Sequence, residues 1–100
     1  MRILAIHTTP TLTRERYEEV VRRLTGKERI ESVDDLPFEG LVFHAAGESR
    51  NGFTVIDVFE SEEAVESFFR ALGTIPKDVG IEEPPHFFPA HTVYAERRLP

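Results

Sequence analysis

The chain holds four histidines and one carboxylate, Asp57, set inside an apolar run. An imidazole and a carboxylate within hydrogen-bonding distance make a base, because the carboxylate fixes the ring tautomer and raises its basicity. Such a pair can take a proton from a phenol or from a carbon next to a carbonyl, the step that prepares a carbanion for O2 or for cyclisation. His44 lies within GLVFHAA (40–46) and Asp57 within FTVIDVFE (53–60), so this pair is the leading catalytic candidate, His44 as base and Asp57 as its orienter. The blander reading is a buried hydrogen bond that orders an interface, since buried networks are often structural. His7 and His91 are the secondary polar candidates, and Val42, Phe53, Val55 and Phe59 the apolar walls of a binding site. His7, His44, His91 and Asp57 together have the ligand types of a transition-metal site. No pair among them has the helical or strand spacing that fixes two ligands locally, so no metal ligand is assigned. Haem or metal binding stays an alternative.

The elements that must position these groups follow from periodicity. Arg2 to Thr8 is rich in Ile and Leu and reads as a strand closed by Pro10. Thr13 is a helix N-cap with Glu15 in the first turn. Tyr17, Val20, Val21 and Leu24 then form one apolar stripe, and Gly26 follows as terminator. Tyr17 reads as core, its hydroxyl reaching the surface or a cavity. Lys27 to Pro37 is a charged connector in which Ile30, Val33 and Leu36 can make one irregular helical turn. Residues 40–46 and 53–60 are strands joined by the polar loop 47–52, a hairpin. Ser61 caps a second helix with Val65, Phe68, Phe69 and Leu72 on its apolar face and Gly73 after it. A second connector runs from Thr74 to Pro85, and His86 to Glu96 is a fourth strand that Pro89 confines to an edge or bulge.

The order strand, helix, strand, strand, helix, strand is the ferredoxin-like βαββαβ arrangement, an α+β fold with both helices on one face of an antiparallel sheet. With Gly47 paired to Gly52, His44 lies opposite Val55 and Val42 opposite Asp57. Alternation then puts Val42, His44 and Ala46 on one face with Phe53, Val55, Asp57 and Phe59. The other face holds Leu41, Phe43, Ala45, Thr54, Ile56 and Val58, and suits the helix-packed core. A helix-free face bearing Phe53, Val55 and Phe59 is too apolar to leave in water. A second copy of the chain is expected to cover it, closing two sheets into a barrel with the polar groups inside.

Three segments carry a family resemblance: IHTTPTLTRERYEEVVRRL, GLVFHAAGESRNGFTVIDVFESEEAVESFF and FFPAHTVY. Together they resemble the dimeric α+β barrel superfamily, and within it the small antibiotic-biosynthesis-monooxygenase-like proteins. NGFTVIDVFESEEAVESFF is the strongest stretch: a glycine turn, a strand ending in an aromatic, a capped helix start and a Phe-bearing helix. The resemblance covers nearly the whole chain and lies in fold elements. It implies a homodimer and a pocket between sheet and helices or inside the barrel. Its known members include cofactor-free oxygenases of polycyclic aromatics, polyketide cyclases, haem binders and proteins without known activity. The expectation is a small-molecule-binding dimeric barrel, monooxygenase-like or cyclase-like, acting without a cofactor on an aromatic or polyketide-type compound. The alternative is a non-catalytic dimer with a structural polar cluster.

Composition narrows the classes. One hundred residues are one domain, placed at 1–96 with a short tail at 97–100. Twelve Lys and Arg against eighteen Asp and Glu give −6, which argues against a surface that tracks phosphates. An RNA-binding sheet, with Phe53 and Phe59 as stacking platforms, is set aside on that charge and on Asp57 among them. The absence of Cys excludes disulfides and thiolate chemistry and fits a cytoplasmic protein. The apolar runs are too short to span a membrane, and residues 1–6 too short to form a signal peptide.

Overall fold

The structure is a computed structural model and describes residues 1–94. The tail expected at 97–100, and the domain end placed at 96, lie outside the described residues. Strand β1 spans Ile3–His7, helix α1 Arg14–Thr25, β2 Leu41–Ser49, β3 Gly52–Phe59, α2 Glu62–Leu72, α3 Ile75–Asp78 and β4 His86–Pro89. One 3₁₀ turn, Val33–Asp35, stands where the first connector was expected to make a helical turn. The sheet order is β2-β3-β1-β4 and every neighbouring pair is antiparallel. This is an α+β architecture compatible with a ferredoxin-like fold. No helix among the described residues is long and apolar enough to cross a membrane.

Local chemistry sets the helix ends. Thr13 Oγ1 accepts from the Arg16 N–H at 3.2 Å, and Ser61 Oγ accepts from the Ala64 N–H at 3.2 Å. Each bond satisfies one of the donors that a helix N-terminus leaves without a partner. Gly26, at φ 76°, ends α1 by donating to the Arg22 carbonyl at 2.8 Å. Left-handed backbone there costs a glycine nothing, whereas a side chain would be strained. Gly40, at φ 94°, matters for space instead. A methyl at its Cα would run into the Cβ of Ala64, so glycine is what lets the start of β2 lie against α2.

Several expectations need correction. The hairpin pairs Ser49 with Gly52, so β2 is longer than 40–46 and only Arg50 and Asn51 turn the chain. The register therefore differs by two residues, and His44 faces Asp57 directly rather than Val55. Between Leu41 and Phe43 the ladder is bulged: Leu41 pairs with Phe59 and Phe43 with Val58. Val42 is the extra residue, opposite no partner, and Leu41 is carried to the Phe59 side. Lastly, β4 ends at Pro89, so His91 is not a strand residue, and the second connector contains the short helix α3.

The largest correction concerns the two faces. The helices lie on the face of Phe53, Val55, Asp57 and Phe59, not on the face of Phe43 and Ile56. Phe59 is fully buried and packs 5.1 Å from the ring of Phe68 on α2, while Phe53 packs 5.1 Å from Tyr17 on α1. Ala5, Phe59 and Ala64 centre one core cluster, and Leu12, Phe53, Val55 and Ile81 the other. Phe53 and Phe59 are thus covered, and no nucleotide base can stack on them. The open face carries Leu4, Ile6, Phe43, Ala45, Ile56 and Phe88, of which Ile6, Phe43 and Phe88 remain 37%, 45% and 43% exposed. Both faces are apolar in sequence, so alternation separates them without saying which one the helices cover.

Candidate active site

Three side chains from three elements meet on the covered face. His44 on β2 and Asp57 on β3 are cross-strand partners, and the His44 Nδ1–H donates to Asp57 Oδ1 at 2.6 Å. The other ring nitrogen, Nε2, lies 2.6 Å from the hydroxyl of Tyr17 on α1. A carboxylate can only accept, so Nδ1 carries a proton, and in the neutral imidazole Nε2 then accepts from Tyr17. The result is a directed chain: Tyr17 O–H to His44, His44 N–H to Asp57. Packing holds it in place. The Tyr17 and His44 rings lie nearly parallel, with an interplanar angle of 10° and 5.9 Å between centroids, and Asp57 is only 8% exposed.

This chain lies on the wall of a half-open cavity of about 320 Å³ between the sheet and the helices. Its sheet side includes His7, His44, Val55 and Asp57, and its helix side includes Tyr17, Val20 and Leu24 of α1 with Phe68 and Leu72 of α2. The segment from Gly73 to Pro85 closes over part of it. Volume and lining match a small-molecule site, which is mostly apolar with a few converging polar groups. The pocket thus stands between the sheet and the helices of the chain.

Burial tunes the polar groups. The Tyr17 hydroxyl is pushed up from 10.0 to about 12, first by removal from water, then by the negative charges of Asp57 and Glu18. His7 is pushed below its ordinary 6.5, chiefly by burial. Its Nε2–H donates to the Glu83 carbonyl oxygen at 2.8 Å, tying β1 to the covering segment. That segment is tied a second time, because the Glu83 carboxylate accepts from the Thr11 hydroxyl and is held below the usual carboxylate range by it.

The expected site residues separate into two groups. His44, Asp57, Val55 and His7 all line the cavity. Phe53 and Phe59 do not line it; they pack behind it, Phe53 against Tyr17 and Phe59 under Phe38, Phe68 and Phe87. Val42 sits in the bulge away from the lining. His91 is exposed and its ring bonds to Thr92, apart from the other histidines. Among the described residues no three His, Cys, Asp or Glu side chains gather as metal ligands, and both nitrogens of His44 are already engaged.

Tyr17, expected in the helix core with its hydroxyl reaching the surface or a cavity, was not among the expected site residues, yet it lines the cavity. Its signal was present: a phenol on an apolar helix stripe has a polar tip that needs a partner when buried. Its partner, twenty-seven residues away, is visible only in the fold. No family model, no curated protein and no solved structure matches the chain.

Proposed function

We propose that this protein binds a small, largely apolar molecule in the cavity between sheet and helices and performs acid–base chemistry on it. The observation that carries this reading is the Tyr17–His44–Asp57 chain lining a mostly apolar cavity. A hydrogen-bonded chain sealed in a packed core fits a purely structural role. One that borders space for a ligand is placed to exchange a proton with it. His44 is the proton acceptor. Asp57 keeps its Nδ1–H in place and stabilises the imidazolium that forms. The apolar walls favour an aromatic or polyketide-type body, in keeping with the resemblance to cofactor-free oxygenases and cyclases of the dimeric α+β barrel type.

We also propose that a second copy of the chain covers the open sheet face. Ile6, Phe43 and Phe88 form with Leu4 and Ile56 a flat apolar layer that water disfavours. In this arrangement each chain keeps its own cavity on the opposite side of the sheet.

Titration of the labelled protein with 1-naphthol, followed by two-dimensional amide and methyl NMR, tests the binding reading. Saturable shifts at Val20, Leu24, Val55 and Ile81, with the open-face residues Phe43 and Ile56 unmoved, are expected. Absence of shifts at millimolar ligand, or shifts spread over the surface, would overturn it.

A further inference from the structure

We propose that Tyr17, not His44, is the residue that touches the ligand, and that its hydroxyl oxygen receives a proton from an acidic hydroxyl on an apolar, phenol-like or enol-like ligand while passing its own proton to His44. This rests on the binding reading above and adds the contacting atom and the ligand class.

Both nitrogens of His44 are occupied, Nδ1 by Asp57 and Nε2 by Tyr17, each at 2.6 Å. A ligand can reach the imidazole directly only by displacing the Tyr17 hydroxyl. That hydroxyl is held by its ring, which lies nearly parallel to the His44 ring and 5.1 Å from Phe53. A hydroxyl has one proton to donate and two lone pairs with which to accept. Tyr17 spends its proton on His44, so what it offers a ligand is an acceptor. The matching ligand group is therefore an O–H donor. A ligand with only acceptors, such as an ether or ester, finds nothing to pair with at this point.

The proton balance is simple. The ligand O–H bond breaks and a new O–H bond forms on Tyr17. The old Tyr17 O–H bond breaks and a new N–H bond forms on His44 Nε2. The products are a ligand oxyanion, a neutral tyrosine now donating to it, and an imidazolium paired with Asp57. No other reactant is needed. Burial supports the division of labour: with its hydroxyl pushed up to about 12, Tyr17 is neutral at physiological pH and transmits a proton without holding a charge. Val20 and Leu24, on the same helix face, line the cavity beside it and suit the apolar body of such a ligand.

The probes are 4-nitrophenol and its methyl ether, 4-nitroanisole. The phenol reports its own ionisation through its visible absorption, and the ether has the same body without the donor. The wild-type protein is expected to bind the phenol about tenfold more tightly than the ether, the size of one good hydrogen bond, and to raise the ionised fraction of the bound phenol above that of the free probe at the same pH. Tyr17→Phe, which also uncovers His44 Nε2, should weaken the preference for the phenol and reduce the ionised fraction of the bound probe. A preference that holds or rises in Tyr17→Phe would overturn the proposal, because the hydroxyl would then have been competing with the ligand for His44 Nε2. His44→Gln should lose the phenolate band under either route, and Tyr17→Phe decides between them alone where His44→Gln does not fold. Equal binding of phenol and ether by the wild type would overturn this inference and leave the cavity reading intact. Binding of neither probe would overturn both.

Discussion

His44 and Asp57 face each other directly across β2 and β3, and the line from Asp57 Oδ1 through both ring nitrogens ends at the hydroxyl of Tyr17 on the helix above. Two strands and one helix thus each contribute one member of a three-residue chain. Any change in the pairing of the strands, or in the seat of α1 on the sheet, breaks it.

Removing the carboxylate tests what the chain contributes to stability. Asp57→Ala leaves the His44 Nδ1–H with no acceptor in a buried site, which costs about 1–3 kcal/mol. Asp57→Asn keeps an acceptor at the same place and should lose less. Urea unfolding of the three proteins measures the difference, and an alanine variant as stable as the wild type would show the bond to be dispensable for folding.

The phenol of Tyr17 can be titrated by ultraviolet difference spectroscopy in a Tyr94→Phe background, where it is the one tyrosine left. Its midpoint is expected near 12 rather than 10.0. The sign follows from the shift. Because the folded value lies above the unfolded one, the stabilising contribution is whole below pH 10 and disappears as pH rises from 10 through 12. Asp57→Asn removes one of the charges that raise the value and should bring the midpoint down.

His7 shifts the opposite way and gives an acid limb. Its folded pKa lies below the 6.5 of the unfolded chain, so below that pH the unfolded state binds more protons. Stability should be constant above about pH 6.5 with respect to this group and should fall as pH drops toward the folded value. His7→Gln, which can still donate to the Glu83 carbonyl, should flatten this part of the pH–stability curve. An unchanged slope would mean that burial does not disfavour the charged ring.

Phe59 anchors the second core cluster and is the largest side chain with no exposed surface. Phe59→Ala should cost about 3–5 kcal/mol, the loss typical of a buried aromatic truncated to alanine. That is a large share of the roughly 5–15 kcal/mol of a small domain. Thermal or urea unfolding checks it, and a loss under about 1 kcal/mol would mean that Phe38, Phe68 and Phe87 close around the gap.

Phe43→Glu places a charge in the middle of the open face without touching the cavity. Sedimentation equilibrium is expected to show a dimer for the wild type and a monomer for the variant, with ligand binding preserved in both. A wild type that sediments as a monomer at micromolar concentration would remove the pairing proposal and leave the single-chain cavity standing.

The sequence by itself determined the order of the four strands and two long helices, the caps at Thr13 and Ser61, the glycine ends at Gly26 and Gly73, and the fact that His44 and Asp57 share a face. The last survived an error in register because strand side chains alternate with a period of two: slipping the hairpin by two residues moves His44 from Val55 to Asp57 and leaves the side chains beyond the bulge at Leu41 on their original faces. Alternation says nothing about which face the helices take. That depends on how the crossovers carry α1 and α2 over the sheet and on how Tyr17 and Phe68 fit against Phe53 and Phe59, contacts between residues far apart in the chain. Only the tertiary structure therefore decided that the imidazole and carboxylate lie under the helices, that Tyr17 joins them, that His91 stands apart, and that the cavity lies between sheet and helices. A local pattern fixes parity; which side is inside is settled by long-range packing.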